Sequence, residues 1–283
     1  MLVTWAYKAR DTLVQRFDPR ARLIFTACAM LSILQVWDLR WLAGWLAFTL
    51  LAYRSARLTW KETRRFWLVV LPLITFLVLI TALTGRGGEE AYQVAHPWVR
   101  LHLGPWVWPI SVEQVVFALG QFARMLALAT LGLLIPFTIH PAHYGVTFRG
   151  LGLNDKFAVA TDLAFRLVPS VARDFQTTLD AQRARGYELE RKGAGLVRQI
   201  RNLAPLIVPV TIQAILNGED IIDAMDLRAF GARPRRTWIV ELRYQRRDYL
   251  LMAVGVVVLA LTIAAKLAGY GDFWVPPGWL PGP

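Results

Sequence analysis

Near-continuous apolar runs constrain this chain more than any other feature. Five stand out, at about residues 23–36, 41–53, 66–83, 115–137 and 249–268. In hydrocarbon no water is present to satisfy backbone N–H and C=O groups, so such runs cross a bilayer only as helices. With flanking Trp and Tyr as interface anchors, most reach the roughly 17–25 residues that a span requires; residues 41–53 form the shortest candidate. The 283 residues are 55% hydrophobic, so a length that would otherwise make one or two soluble domains is given over to spans. Residues 1–22 carry Lys8, Arg10, Arg16, Arg20 and Arg22, and no small-residue cleavage site follows the first run. That run is expected to stay as an uncleaved first span. Cys28, the single cysteine, lies within it and reads as a small buried hydrophobe.

The charge is concentrated between the runs. Of 32 basic residues, five precede the first run and five lie between the second and third (Arg54, Arg57, Lys61, Arg64, Arg65). Seventeen more fall within 138–248, whereas the alternate connections hold only Arg40 in one and Arg86 and Arg100 in the other. The positive-inside rule then predicts a cytoplasmic N-terminus and an outside C-terminus. The expected fold is an all-α membrane protein with about five spans. Residues 1–137 would form a membrane part with four spans, 138–248 cytoplasmic helices, and 249–283 a final span and outer tail. In the loop 85–111 the Gly104-Pro105 pair marks a turn, and partial alternation around it allows a small hairpin. Residues 273–283, rich in Pro, Gly and Trp, read as an irregular interfacial segment.

Residues 138–248 are too polar to span and too apolar for a disordered tail. Pro169 and Ser170 suit a helix start, with Arg185 near its end and Gly186 as the stop. Val168, Val171, Phe175 and Leu179 recur at helical spacing and give one apolar stripe. A second helix is expected from near Pro209 to near Phe230 and Gly231, with Ile215, Gly218, Ile222, Met225 and Ala229 on one face. Glu219, Asp220, Asp223 and Asp226 fall largely on the other. Each helix thus ends with an arginine close to a stop residue, Arg185 next to Gly186 and Arg228 three residues before Gly231. One reading is a favourable interaction with the helix C-terminal dipole, worth about 0.3–1 kcal/mol; the other is a functional role, since two helices of one segment share the arrangement. The residues leave both open.

At this point the sequence resembles the transmembrane (T) component of energy-coupling factor (ECF) transporters, vitamin and transition-metal importers of the ATP-binding cassette (ABC) class, a family similar to the cobalt-transport permeases. Phe17-Asp18-Pro19-Arg20-Ala21-Arg22-Leu23 resembles its Asp-Pro-Arg signature before the first span. Arg166-Leu-Val-Pro169, followed by Asp180 to Gly186, resembles its first coupling motif, which falls on Ala184-Arg185-Gly186. Pro205-Leu-Ile-Val-Pro209, leading to Asp223 to Gly231, resembles the second, which falls on Leu227-Arg228-Ala229. The second departs from an Ala-Arg-Gly pattern at its first and last positions, which bears on how that helix ends. The order and spacing of these motifs carry the likeness over roughly residues 10–268.

The resemblance implies long cytoplasmic coupling helices whose arginine-bearing ends dock in grooves of two ABC ATPase subunits, identical or different. It also implies a small membrane substrate-binding (S) subunit, which those helices would reorient. The chain would lie in a prokaryotic inner membrane as a multi-pass protein in contact with the lipid bilayer, and would bind no cofactor itself. ATP and magnesium would belong to the partner ATPases. The sequence agrees in having no Gly-x-x-x-x-Gly-Lys-Ser/Thr loop.

Other candidate sites carry less. His140-Pro-Ala-His143 has a spacing seen in metal sites, but no nearby Cys or carboxylate completes a ligand set. His96 and His102 flank the outer-loop tryptophans and indicate nothing definite, so no metal site is assigned. Arg124 lies within the fourth run, where an ionisable residue is a functional candidate by default; a structural role or an intramembrane subunit contact is expected of it. Lys266 near a span end snorkels. No catalytic serine, cysteine or carboxylate set is present, which argues against an intramembrane enzyme. The acids of 138–248 argue against nucleic-acid binding. A conventional ABC importer permease, forming the substrate path itself, is the alternative function.

Overall fold

A computed structural model describes residues 7–84, 97–103, 106–187, 196–232, 238 and 240–276. The chain forms two compact units, one from residues 6–140 and 243–283 and one from 141–242.

In the first unit, α1 (Pro19–Gln35) starts where Pro19 fits the first turn and the Asp18 side chain accepts from the Arg20 N–H. The helix α2 (Leu39–Ser55) starts in the same way, with Asp38 accepting from the Arg40 N–H. After α3 (Trp60–Thr84) come β1 (Pro97–Leu103) and β2 (Trp106–Ser111), an antiparallel pair whose register sets Leu103 opposite Trp106. Ser111 and Gln114 then form a reciprocal capping box that opens α4 (Val112–Thr138). The last helix, α8 (Arg246–Leu267), is opened by a second box, Gln245 with Asp248. Helix α1 packs on α8 and α4, and α4 packs on α2 and α3. Ala29, Ile33, Leu42, Ala123, Ala127 and Leu131 form the buried core. The small residues let α1 and α4 approach closely, as membrane helices do without a hydrophobic drive between them. At the α1–α8 crossing, a Cβ on Gly255 would lie 3.2 Å from the Phe25 ring.

Four described helical segments are long and apolar enough to cross a membrane: Trp60–Ala82, Val112–Thr138, Leu203–Asp226 and Arg246–Leu267. The first, second and fourth are the third, fourth and fifth predicted spans. Helices α1 and α2 have 17 residues each, or roughly 25 Å at 1.5 Å per residue, the short end of the spanning range. Leu68, Leu73, Phe76, Val256 and Leu261 project outward from α3 and α8 as lipid-facing side chains do. The protein is a helical membrane protein.

The second unit contains α5 (Tyr144–Gly150), α6 (Asp155–Ala184) and α7 (Leu196–Asp226). Helix α5 crosses α6 so closely that a Cβ on Gly145 would stand 2.5 Å from the Ala158 carbonyl oxygen. Nearby, burial pushes the Asp162 carboxyl above its ordinary range, against the opposing pull of His143 and Arg166. Both long helices begin earlier than their prolines suggest. Asn154 caps α6 by accepting from the Lys156 N–H, so Pro169 lies inside the helix and does not start it. Pro205 and Pro209 likewise lie inside α7. An internal proline removes one i→i−4 bond. Pro209 therefore leaves the Pro205 carbonyl without its usual donor, and Gln182 Nε2 of α6 reaches it at 3.5 Å. Leu206 and Val210 of α7 are buried with Leu179 of α6, and Asn217 Nδ2 reaches Asp174 Oδ2 at 3.5 Å.

Candidate functional site

The two arginine-bearing helix ends have one backbone geometry. At the end of α6 the Gly186 N–H donates to the Arg183 carbonyl and the Tyr187 N–H to the Gln182 carbonyl, both at 3.0 Å. After α7 the Ala229 N–H donates to the Asp226 carbonyl at 2.8 Å and the Phe230 N–H to the Met225 carbonyl at 2.9 Å. This paired six-to-one and five-to-two bonding is the Schellman closure, in which the residue after the cap turns left-handed. That residue is Gly186 (φ 81°) in one case and Ala229 (φ 54°) in the other. Arg185 and Arg228 therefore occupy the same cap position of the same motif.

The sequence sets both arginines near stops but does not disclose this identity, because Ala229 carries no signal for a left-handed turn. An alanine there is strained by about 1–2 kcal/mol. Ala229→Gly is expected to remove that strain and, net of glycine's larger unfolded entropy, to stabilise the end by about 0.5–1 kcal/mol. Slower amide exchange at Phe230 would show it.

Ala184, Arg185, Gly186, Leu227, Arg228 and Ala229 are all exposed, Leu227 at 89%. Arg183 pairs with Asp180 at 3.6 Å, but neither Arg185 nor Arg228 forms an ion pair among the described residues. Their guanidinium groups stay available as planar forks that can bind carboxylates or carbonyls at two points. Along α7, Ile207, Ile212, Ile215, Leu216 and Ile222 are exposed, as are Glu219, Asp220, Asp223 and Asp226. These carboxylates, costly in lipid, are confined to the last two turns of α7, while the uncharged residues 203–218 before them belong to the segment long and apolar enough to cross a membrane.

The Asp18-Pro19-Arg20 motif lies elsewhere and is a clamp. Arg20 Nε and Nη2 donate to the two Asp18 carboxylate oxygens, each at 3.0 Å, and its guanidinium lies 3.7 Å from the Tyr244 ring centroid. The Asp18 N–H donates to Asp248 Oδ1 at 2.9 Å, and the Gln245 N–H to Asp248 Oδ2 at 2.7 Å. Asp248, 1% exposed, thus joins the starts of α1 and α8 through both oxygens. Arg22 Nη1 adds a bond to the Thr138 carbonyl at the end of α4, 2.8 Å away. The one sequence signal for Asp248 is local, the Gln-x-x-Asp spacing from Gln245 before an apolar run.

Arg124 is buried in α4. Its Nη2 donates to the Val36 carbonyl at the end of α1, and its guanidinium lies 4.2 Å from the Trp37 ring centroid. A cation bonded to the last carbonyls of a helix favours its dipole. The neighbouring Trp37 and Asp38 N–H groups donate to the Gly271 carbonyl, which fastens the C-terminal segment there. His140 packs edge-on against the Tyr7 ring, with centroids 4.9 Å apart. The His143 carbonyl accepts from the Thr147 hydroxyl at 2.6 Å. Among the described residues no group of three or more His, Cys, Asp and Glu is placed to hold a metal ion. His96 lies outside the described residues, and so does the side chain of His102.

These features define a class: a polytopic helical membrane protein bearing two amphipathic helices with matched, arginine-capped ends. The model of the cobalt transport protein family matches residues 10–238, and the chain belongs to that family. Among curated proteins it is similar to the energy-coupling factor transporter transmembrane protein EcfT of Lactococcus lactis subsp. cremoris, 24% identical over 270 residues (91% of this chain, 94% of the relative). The protein of the same name from Thermotoga maritima is 27% identical over 257 residues, covering 89% and 90% respectively. A putative ABC transporter ATP-binding protein of Bifidobacterium longum is 25% identical over 261 residues, 89% of this chain but only 32% of that protein.

Proposed function

We propose that this chain is the energy-coupling transmembrane subunit of an ECF-type importer. In this reading it is non-catalytic and joins ATP hydrolysis in two partner ABC ATPases to a separate, small substrate-binding membrane subunit. The observation that carries the proposal is the identity of the two helix ends, each placing an exposed arginine at the cap of a Schellman closure. Two equivalent ends suit two equivalent grooves, one on each ATPase of a dimer. The relatives' names support a transmembrane component of an energy-coupling factor transporter, and the Bifidobacterium relative carries an ATP-binding name on a chain about three times the matched length.

Mechanically, a helix pair is stiff along its axis, and contact between Gln182 and Pro205 and between Asp174 and Asn217 ties α6 to α7. A closing ATPase dimer that moves the arginine ends would move the pair. The apolar side chains exposed along α7, from Ile207 to Ile222, form the kind of patch that a partner covers; the substrate-binding subunit is its occupant in this reading. The orientation proposed from charge puts the N-terminus inside and the C-terminus outside a prokaryotic inner membrane. ATP and magnesium are held by the ATPases, and vitamins or transition-metal ions are the cargo class.

The test is purification of the tagged chain from its native membrane in mild detergent. ABC ATPases and one small additional membrane protein are expected, with substrate bound only when that small protein is present. Substrate uptake by vesicles holding just this chain and the ATPases would overturn the reading in favour of a conventional permease.

A further inference from the structure

A groove of about 680 Å³ opens beside α1 at the end of the bundle where α1 and α8 begin and α2 and α4 end. Its depth is apolar, with Phe25, Phe48, Leu134, Leu251 and Val254 on its walls, while exposed Arg247 stands at its mouth and buried Arg22 lies beneath it. The volume lies within the roughly 300–1,000 Å³ typical of small-molecule sites. A second groove of about 750 Å³ continues it toward the other end of the bundle, sharing Phe25, Phe48 and Val254. The two form one furrow between α2 and α8, floored by α1.

The two ends of the furrow differ in charge. At the far end Arg40, though exposed, is paired with Asp38 at 2.9 Å and lies against the Trp274 ring, 3.9 Å from its guanidinium. At the near end Arg247 is exposed and forms no ion pair among the described residues; its nearest ring is Phe17, with the centroid 6.0 Å away. The adjacent carboxylate, Asp248, already accepts from the Asp18 and Gln245 N–H groups. Arg22, bonded to the Thr138 carbonyl, adds a second positive charge beneath the mouth. Tyr244 and Tyr249 stand at the same level, with ring centroids 5.2 Å apart, as aromatics do at the headgroup layer. An apolar slot with a cationic mouth at the membrane interface complements a molecule with one anionic head and a hydrocarbon chain.

We propose that this furrow is a binding site for one anionic phospholipid, whose phosphate sits at Arg247 and whose acyl chain lies along Phe25, Phe48 and Val254. The site stands independently of the coupling function. Under the orientation proposed above, the lipid belongs to the cytoplasmic leaflet. A partner's transmembrane helix would fill the slot without drawing on the charge at its mouth, and it is the competing occupant.

Native mass spectrometry of the full-length chain in detergent, titrated with dioleoylphosphatidylglycerol or dioleoylphosphatidylcholine, tests this. One phosphatidylglycerol per chain is expected to bind several-fold more tightly than phosphatidylcholine. Arg247→Gln should lower phosphatidylglycerol affinity about fivefold, as removal of one basic residue near a membrane surface does, and leave phosphatidylcholine unchanged. Val254→Trp, which fills the slot at an exposed position, should weaken both lipids. Equal retention of the two lipids by the wild type, or undiminished phosphatidylglycerol binding in either variant, would overturn the proposal and leave only annular lipid or a partner helix.

Discussion

Arg185→Glu combined with Arg228→Glu is expected to strip the ATPases from the purified complex while the chain keeps its helical fold and membrane level. Both side chains are exposed and neither is in an ion pair among the described residues, so reversing them breaks nothing visible within the chain. The cost inside the chain is an anion placed at each helix C-terminus, about 0.3–1 kcal/mol. Domain stabilities are about 5–15 kcal/mol, so folding tolerates it. At a docking groove the arithmetic differs. Losing one partner of a buried, hydrogen-bonded charge pair costs about 2–5 kcal/mol, and two such losses weaken binding by about a thousandfold or more. Each single reversal should give a partial loss of similar size, because the two ends are geometrically equivalent. Lysine at either position should restore charge but not two-point bonding, and so rescue only in part. Co-purification of the ATPases with the double variant, measured against wild type at equal expression, decides the matter. If it is unchanged, the arginines act only on their own helix ends and the conventional permease moves ahead.

The parts of the fold that were legible in the sequence are those set by local chemistry. The runs at 66–83, 115–137 and 249–268 became α3, α4 and α8, since continuous apolar sequence leaves the backbone no alternative in lipid. Gly186 is the stop expected of it, with φ 81°. The pairing of β1 with β2 is the small hairpin that partial alternation in this loop allowed. The starts of α6 and α7 were misread because Pro169 and Pro209 are good first-turn residues, and a sequence does not show that Asn154 supplies the cap of α6 or that Gln182 bonds the carbonyl left by Pro209. The left-handed Ala229 was hidden because propensity assigns that turn to glycine. Least legible was the work of Asp18-Pro19-Arg20. Its partner, Asp248, is 230 residues away, and no local pattern in either segment names the other.

Asp248→Ala is expected to be the most destabilising single substitution in the membrane unit. The carboxylate is 1% exposed and is the acceptor for two backbone N–H groups, Asp18 at the start of α1 and Gln245 at the start of α8. Alanine would leave the Asp18 N–H buried without an acceptor, at about 1–3 kcal/mol, and would remove the capping bond to the more exposed Gln245 N–H at the start of α8. A loss of about 2–4 kcal/mol follows, enough to lower the apparent Tm in detergent by several degrees and to reduce the amount of chain in the membrane. Asparagine should do almost as badly. Its amide offers one acceptor oxygen, and its NH2 group would face an N–H donor that it cannot satisfy. That outcome separates a two-acceptor clamp from a simple packing role, in which the near-isosteric asparagine would be tolerated. Lys266→Gln, at the exposed far end of the same helix, is the control and should stay within about 0.5 kcal/mol of wild type. Were Asp248→Ala no less stable than that control, the Asp18–Asp248 junction could not be what fastens the first span to the last. The Asp-Pro-Arg segment would then need a role outside the fold, in contact with a partner subunit.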